Sequence, residues 1–278
     1  MRPRIWSLAG VFFLLSLTSA FAQQTETEPA APLPAATYSE INCSGFITTT
    51  PVSKDLYVFD GADNDFHSWL RQWKPGESVY VRSRGGGSLA VGNEYALVRP
   101  ATELTRVRWY AGQGGSLRSL GRAYEDVGRI KVVQMTEHGA VAEVLFACGP
   151  IMSGDRAIAR AARMSPSYTP SASFERFAPP NNKRAGAITA GVGNAAYLGV
   201  GSMAYINLGT SDGAAPGQKY RVFHIIRERM GSGLTVAPEP PREVTGELVT
   251  LHCEEKSCVA MVVTCTREIA LGDGIELE

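Results

Sequence analysis

The chain opens on a long apolar run. Ile5 to Leu17 is nearly free of polar residues, with Phe12, Phe13, Leu14 and Leu15 at its centre. Arg2 and Arg4 precede it and Ala20-Phe21-Ala22 follows, the small-x-small pattern of a signal-peptidase site. Residues 1–22 therefore read as a signal peptide cleaved after Ala22. The run is shorter than the ~20 residues a bilayer-spanning helix needs, and no cysteine follows it for lipid attachment. No second long apolar segment occurs, so an exported protein with no integral membrane segment after cleavage is expected, in the periplasm or on the outer cell surface.

Residues 23–39 (including TETEPAAPLPAATY) show no apolar periodicity. Such a stretch cannot bury enough apolar surface to offset chain entropy, and its prolines favour an extended spacer. Beyond it the apolar residues fall in short β-branched and aromatic runs separated by glycine-rich turns, the pattern of strands. Helical periodicity is scarce. Asp65 to Gln72 offers Asp65 as a cap with Phe66 and Leu70 on one face, and Ala157 to Ala162 is a second, weaker stretch. Residues 164–183, rich in Ser, Pro and Asn, read as a linker between a first module at 40–163 and a second at 184–278.

The chain resembles itself. Residues 79–98 (VYVRSRGGGSLAVGNEYALV) align without a gap on 204–223 (AYINLGTSDGAAPGQKYRVF), matching Tyr80 to Tyr205, Gly92 to Gly217 and Tyr95 to Tyr220. Residues 127–156 align without a gap on 245–274, matching Gly128 to Gly246, Val141-Ala142 to Val259-Ala260, Ile151 to Ile269 and Gly154-Asp155 to Gly272-Asp273. A shorter pair, 45–48 with 186–189, precedes both. Three pairs in the same order point to an internal duplication. The fold expected is all-β: two tandem, related, small β-barrel or sandwich-like modules. The copies differ by insertions at 60–74, 104–125 and 227–243. Loops that vary on a repeated scaffold are natural binding sites, and aromatic anchors often carry the contact. Trp69, Trp73, Trp109 and Tyr110, all in first-copy insertions, are the candidate ligand or partner contacts.

Charge adds little. Lys+Arg and Asp+Glu are 27 each, and losing Arg2 and Arg4 with the signal leaves 25 against 27, a net −2, which argues against nucleic acid. Of the five cysteines, Cys253 and Cys258 flank a hairpin-like Glu254-Glu255-Lys256-Ser257 and are the first candidate disulfide; Cys43 with Cys148 is a second. A metal site at His252, Cys253 and Cys258 lacks a second ligand pair, so neither metal nor cofactor is expected. Gly191-Val192-Gly193-Asn194-Ala195-Ala196 reads as a turn, not a dinucleotide fingerprint, because a strand follows it. Asp155 and Asp273, as Gly-Asp before a strand, read as turn formers. No His-Glu-x-x-His or Gly-x-Ser-x-Gly pattern occurs. The chain is therefore not expected to be an enzyme. The alternative is a cysteine-dependent cell-wall hydrolase or transpeptidase drawing on Cys148 or Cys265 and His252.

The Tyr strand, Gly turn and hairpin ending at Gly-Asp, in residues 79–98 with 127–156 and again in 204–223 with 245–274, resemble the C-terminal domain of the flagellar-assembly T protein family. They are also similar to modules that accompany LysM domains in secreted bacterial proteins. The resemblance implies a β-rich, non-catalytic surface or assembly role. No LysM segment is present, so peptidoglycan binding is not implied by it. The function expected is binding or assembly in the cell envelope, with an envelope protein or a cell-wall component as partner.

Overall fold

The computed structural model describes residues 31–61, 72–85, 88–171, 173–226, 228–230, 233–235 and 241–278. The signal segment, Trp69 and residues 65–71 of the first proposed helix lie outside the described residues. The first half of the chain runs β1 (Leu33–Pro34), α1 (Tyr38–Asn42), β2 (Phe46–Thr48), β3 (Leu56–Gly61), β4 (Ser78–Ser83), β5 (Glu94–Pro100), α2 (Glu103–Arg106), α3 (Gln113–Leu120), β6 (Arg122–Thr136), β7 (Gly139–Ala147) and β8 (Arg156–Ile158). β9 (Ser167–Tyr168) falls in the linker. The second half runs β10 (Ala185–Gly191), β11 (Tyr197–Leu198), β12 (Met203–Ile206), β13 (Lys219–Ile225), β14 (Glu228–Met230), β15 (Gly233–Thr235), β16 (Arg242–Cys253), β17 (Cys258–Cys265), β18 (Ile269–Ala270) and β19 (Gly274–Leu277).

Two barrels in tandem form the frame. The first closes in the order β3-β4-β7-β6-β5-β8, and β2 adds to the outer end of β6; the second closes as β10-β12-β17-β16-β13-β19. The strand circuits are the same. So are the irregularities: bulges at Val58/Asp60, Leu97/Val98, Arg129/Ile130 and Val132/Gln134 recur at Ile188/Ala190, Val222/Phe223, Glu247/Leu248 and Thr250/His252. Bulges bend strands at barrel corners, so matching bulges mean matching curvature. The repeated glycines have matching causes. A Cβ on Gly128 or on Gly246 would come within 2.4 Å of the carbonyl oxygen of Phe146 or of Thr264 across the hairpin. Gly154 and Gly272 adopt φ of +94° and +93° in the turns entering β8 and β19, and their N–H groups donate to Val58 and Ile188 at 2.8 Å.

Those bonds correct the third sequence match. β10 is the counterpart of β3, not of residues 45–48: Ile188 pairs with Ile206 as Val58 pairs with Val81. β2 instead pairs with β6 alone, outside the first barrel. A four-residue pattern is too short to distinguish one strand from another. The weak helix at 157–162 is likewise absent; Ala157 and Ile158 belong to β8 and pair with Leu97 and Ala96. Closing the barrel outweighs the helix preference of alanine.

Residues 31–39, read as spacer, are partly built into the fold. β1 pairs with β9, and Thr37 and Glu40 form a reciprocal capping box that starts α1. The linker at 164–183 lies along the second barrel, with Val244 N–H donating to the Arg176 carbonyl, Asn181 Nδ2 to Leu277, and Ala178 buried.

Each barrel has its own core, centred on Val58, Val81, Leu97 and Ile130 in the first and on Ile188, Ile206, Val222 and Leu248 in the second. A third apolar cluster joins the modules. Tyr205, Val249, Leu251, Val259 and Met261, on the outside of the second barrel, meet Ile41, Ile47, Leu104, Leu117 and Leu120 of the first half. Two disulfides, Cys43–Cys148 and Cys253–Cys258, span 105 and 5 residues, and Cys265 is free. They mark a protein of an oxidising compartment. Among the described residues, no helix is long and apolar enough to cross a membrane.

Because the third cluster ties the modules together, Leu251→Ala, at a side chain 1% exposed, should cost about 3 kcal/mol. Tryptophan fluorescence and circular dichroism should still report one coincident urea transition. In the loop-closure view, removing the Cys43–Cys148 pair should cost roughly 5 kcal/mol and removing Cys253–Cys258 roughly 2 kcal/mol. Denaturation of the two double-alanine variants tests the ranking.

Candidate functional site: a groove on the rim of the second barrel

The duplicated Gly-Asp turns place one buried carboxylate at the same corner of each barrel. Asp155 Oδ2 accepts the Met152 N–H at 2.8 Å, and Asp273 Oδ2 accepts the equivalent Ala270 N–H at 3.0 Å. Each also holds a cation-type side chain from the neighbouring strand end. In the first barrel Arg99 grips Asp155 through Nε and Nη2, both at 2.7 Å. At the matching position of the second barrel stands His224, whose Nδ1 lies 2.7 Å from Asp273 Oδ1. A carboxylate at Nδ1 fixes that nitrogen as the proton carrier and leaves Nε2 as the outward acceptor. His224 is 39% exposed at its side chain, whereas Asp273 is buried.

Two depressions meet at this pair. One, about 460 Å³, is lined by Tyr110, Ala111, His224, Leu271 and Asp273. The other, about 470 Å³, is lined by Tyr197, His224, Arg267, Glu268 and Asp273. Tyr110 comes from the first-module insertion and still walls a second-barrel groove. The loop between α2 and α3 carries it there, pinned by buried Gln113: Nε2 donates to the Thr189 carbonyl at 3.1 Å and Oε1 accepts the Trp109 N–H at 2.7 Å. Trp109 Nε1–H donates to Asn194 Oδ1 at 3.2 Å, which holds the indole, 45% exposed, beside a residue that lines the cleft between the modules. Tyr197 is 65% exposed. Burial raises the Tyr110 hydroxyl pKa, so it remains a hydrogen-bond donor.

Of the sequence candidates, Tyr110 lines this groove, whereas Trp109 lines neither depression. Trp69 lies outside the described residues. Trp73 is a correction: at 2% exposure it is a core residue of the first barrel, because its backbone bridges to Ile151 and turns the indole inward. Tyr197, His224 and Gln113 were missed. The only available signal was His224 standing where the repeat has Arg99.

The cleft between the modules, about 510 Å³, is bordered by Ser44, Glu103, Glu125, Asp126 and Tyr205. Its polar groups serve the interface. Asp126 pairs with Arg163 and accepts the Gly45 N–H at 2.9 Å, and Tyr205 Oη donates to the Ser44 carbonyl at 3.1 Å. Burial raises the Glu125 pKa, against the pull of Arg99. Ser44 and His252 lie 2.8 Å apart, yet Ser44 is fully buried and its hydroxyl donates to Ile41 O. His252 Nε2–H therefore donates to Ser44 Oγ, the reverse of what base-assisted attack needs. Cys148, one of the nucleophiles considered, is in a disulfide. Among the described residues, no group of three or more His, Cys, Asp or Glu side chains is placed to hold a metal ion.

No protein-family model, curated protein or solved structure matches the chain.

Burial, with Arg163 and Arg160 nearby, holds the His252 pKa well below its ordinary value. The folded state keeps it neutral while the unfolded chain protonates near pH 6.5, so its stability contribution is complete above about pH 6.5. Below that it declines by up to about 1.4 kcal/mol per pH unit. Thermal melts between about pH 8 and about pH 5 should show the decline, and His252→Gln, which keeps a donor for Ser44, should flatten it.

Proposed function

We propose that this is a non-catalytic exported protein of the bacterial cell envelope that binds a cell-wall component through the rim groove of its second barrel. The observation that carries the reading is the composite wall of that groove: Tyr110 from the first module faces a polar floor of His224 and Asp273, with Tyr197 on the far side. Aromatic faces flanking a few fixed polar groups suit a ligand that is amphipathic and rich in hydrogen-bonding groups, as wall glycan is. Export, read from residues 1–22, and the disulfides support a site outside the cytoplasm. The resemblance to the flagellar-assembly T protein C-terminal domain and to LysM-associated modules implies the same compartment and a non-catalytic binding or assembly role, without itself implying wall binding.

The test is retention of mature protein, residues 23–278, on purified peptidoglycan sacculi, with crosslinking co-purification from the native envelope in parallel. Wild-type protein should be retained. Tyr197→Ala, at an exposed side chain that lines the groove, should weaken retention at least about tenfold without lowering the melting temperature. Undiminished retention of that variant, or recovery of a defined protein complex with no sacculus binding, would overturn the wall-binding reading.

A further inference from the structure

The first barrel carries an exposed surface that its duplicate lacks. On the outside of β3 and β4, Arg82 lies over the Phe59 ring at 3.7 Å and Arg84 over the Tyr57 ring at 4.4 Å. Both arginines are exposed and Phe59 is 41% exposed. The alternating residues Val58 and Val81 point into the core, so the arginines and rings share the outer face by strand geometry. Among the described residues, no carboxylate lies within ion-pair distance of either guanidinium. A depression of about 400 Å³ adjoins the strip, lined by Phe59, Tyr80, Arg82, Thr136, Glu137 and His138. Glu137 sits at its edge, 3.9 Å from His138.

Barrel closure does not call for this arrangement. In the second module the positions matching Tyr57, Phe59, Arg82 and Arg84 hold Ala187, Thr189, Asn207 and Gly209, on the same strand circuit. There Asn207 Oδ1 accepts the Ala187 N–H at 2.6 Å, and a Cβ on Gly209 would meet the Glu255 carbonyl oxygen at 2.2 Å. The second copy uses these positions for internal packing; the first presents them to solvent.

We propose that the outer face of β3 and β4 is a phosphate-binding strip, in which Arg82 and Arg84, each stacked on an aromatic ring, grip successive phosphate groups of a polyanionic chain or a phospholipid surface. Stacking holds each guanidinium by its face and leaves its N–H edge for bidentate bonds to phosphate oxygens. Residues two apart on one strand face are about 7 Å apart, which lets the two guanidiniums take separate phosphate groups. Each ring already has a guanidinium on it, which favours phosphate over stacked bases. The Arg84 guanidinium beside it, with Arg82, also lowers the Tyr57 hydroxyl pKa. The strip lies on the first barrel and shares no residue with the rim groove.

The test uses the mature protein with two probes: short-chain inorganic polyphosphate, followed by calorimetry, and phosphatidylcholine vesicles with or without phosphatidylglycerol, followed by sedimentation. Wild-type protein should bind at least one, more weakly as salt rises. Polyphosphate binding identifies a free polyanion as the source of phosphate, and binding confined to anionic vesicles identifies a lipid surface. Arg82→Ala with Arg84→Ala should weaken binding at least about tenfold, with the double lysine variant in between. Arg118→Ala, an exposed arginine elsewhere, should bind as wild type. Failure to bind either probe, a double alanine variant that binds as well as wild type, or an equal loss in Arg118→Ala would overturn the proposal.

Discussion

The apolar cluster shared by the two modules is the constraint on which the rest of the structure depends. β16 is buried along almost its whole length on both faces. Leu248 faces its own barrel, while Val249 and Leu251 face α1, β2 and α3 of the first half. A strand that fills two cores cannot show the apolar–polar alternation of a half-solvated sheet. Once that strand is fixed, much else follows. α1 and β2 must stay on the second barrel, and Cys43–Cys148 anchors their connection to the end of β7. α3 must pack beside them, which sends Gln113 and Tyr110 to the rim. The rim groove is thus a consequence of the inter-module core: its first-module wall is held by packing some distance away.

The polar groups sealed into this interface make it specific. Apolar surfaces alone tolerate sliding, but the Tyr205 hydroxyl reaches the Ser44 carbonyl and Ser257 Oγ reaches the Ile47 carbonyl at 2.8 Å. A shift of one residue would leave these groups buried without partners, which costs more than the bonds contribute when made. Gly45 sits where a Cβ would approach the Tyr205 hydroxyl oxygen to 2.5 Å, so the fit leaves no space there for a side chain.

The duplication was legible in the sequence because its cause is backbone geometry. Gly128 with Gly246 and Gly154 with Gly272 mark bulges and turns that both barrels need, and such positions resist change. The all-β class and the Cys253–Cys258 disulfide were legible for similar local reasons, whereas Cys43–Cys148, 105 residues apart, carries no local signal. What was hidden is whatever depends on one module touching the other. The 104–125 insertion reads as a glycine-rich loop, and nothing in Gly112, Gly114 or Gly115 announces a helix; α3 forms because Leu117 and Leu120 have a second barrel to pack against. Trp73 and Trp109 look alike as exposed-loop aromatics, yet one is core and the other half exposed, since only a backbone bridge to Ile151 separates their fates. His224 becomes conspicuous only after β13 is superposed on β5. The Thr37-x-x-Glu40 capping box, by contrast, was present in the sequence as a local signal inside a stretch whose composition suggested no structure.

The repeat also shows that the first barrel lacks the docking face the second one offers. The second barrel offers the apolar cross-strand pair Val249 and Met261 to the elements that dock on it. The matching pair on the first barrel is Lys131 and Glu143, directly opposite each other on β6 and β7 and both exposed. Opposite charges at such a position support the hairpin while keeping the face in water. Docking another module there would strip solvent from both charges with no apolar gain to offset it, so the face works as a cap in the way terminal repeats do in longer arrays. A head-to-tail contact that does not close would otherwise propagate into filaments. With two charged residues where its twin has valine and methionine, the first barrel keeps this face in water, and its outer strands are left free to diverge.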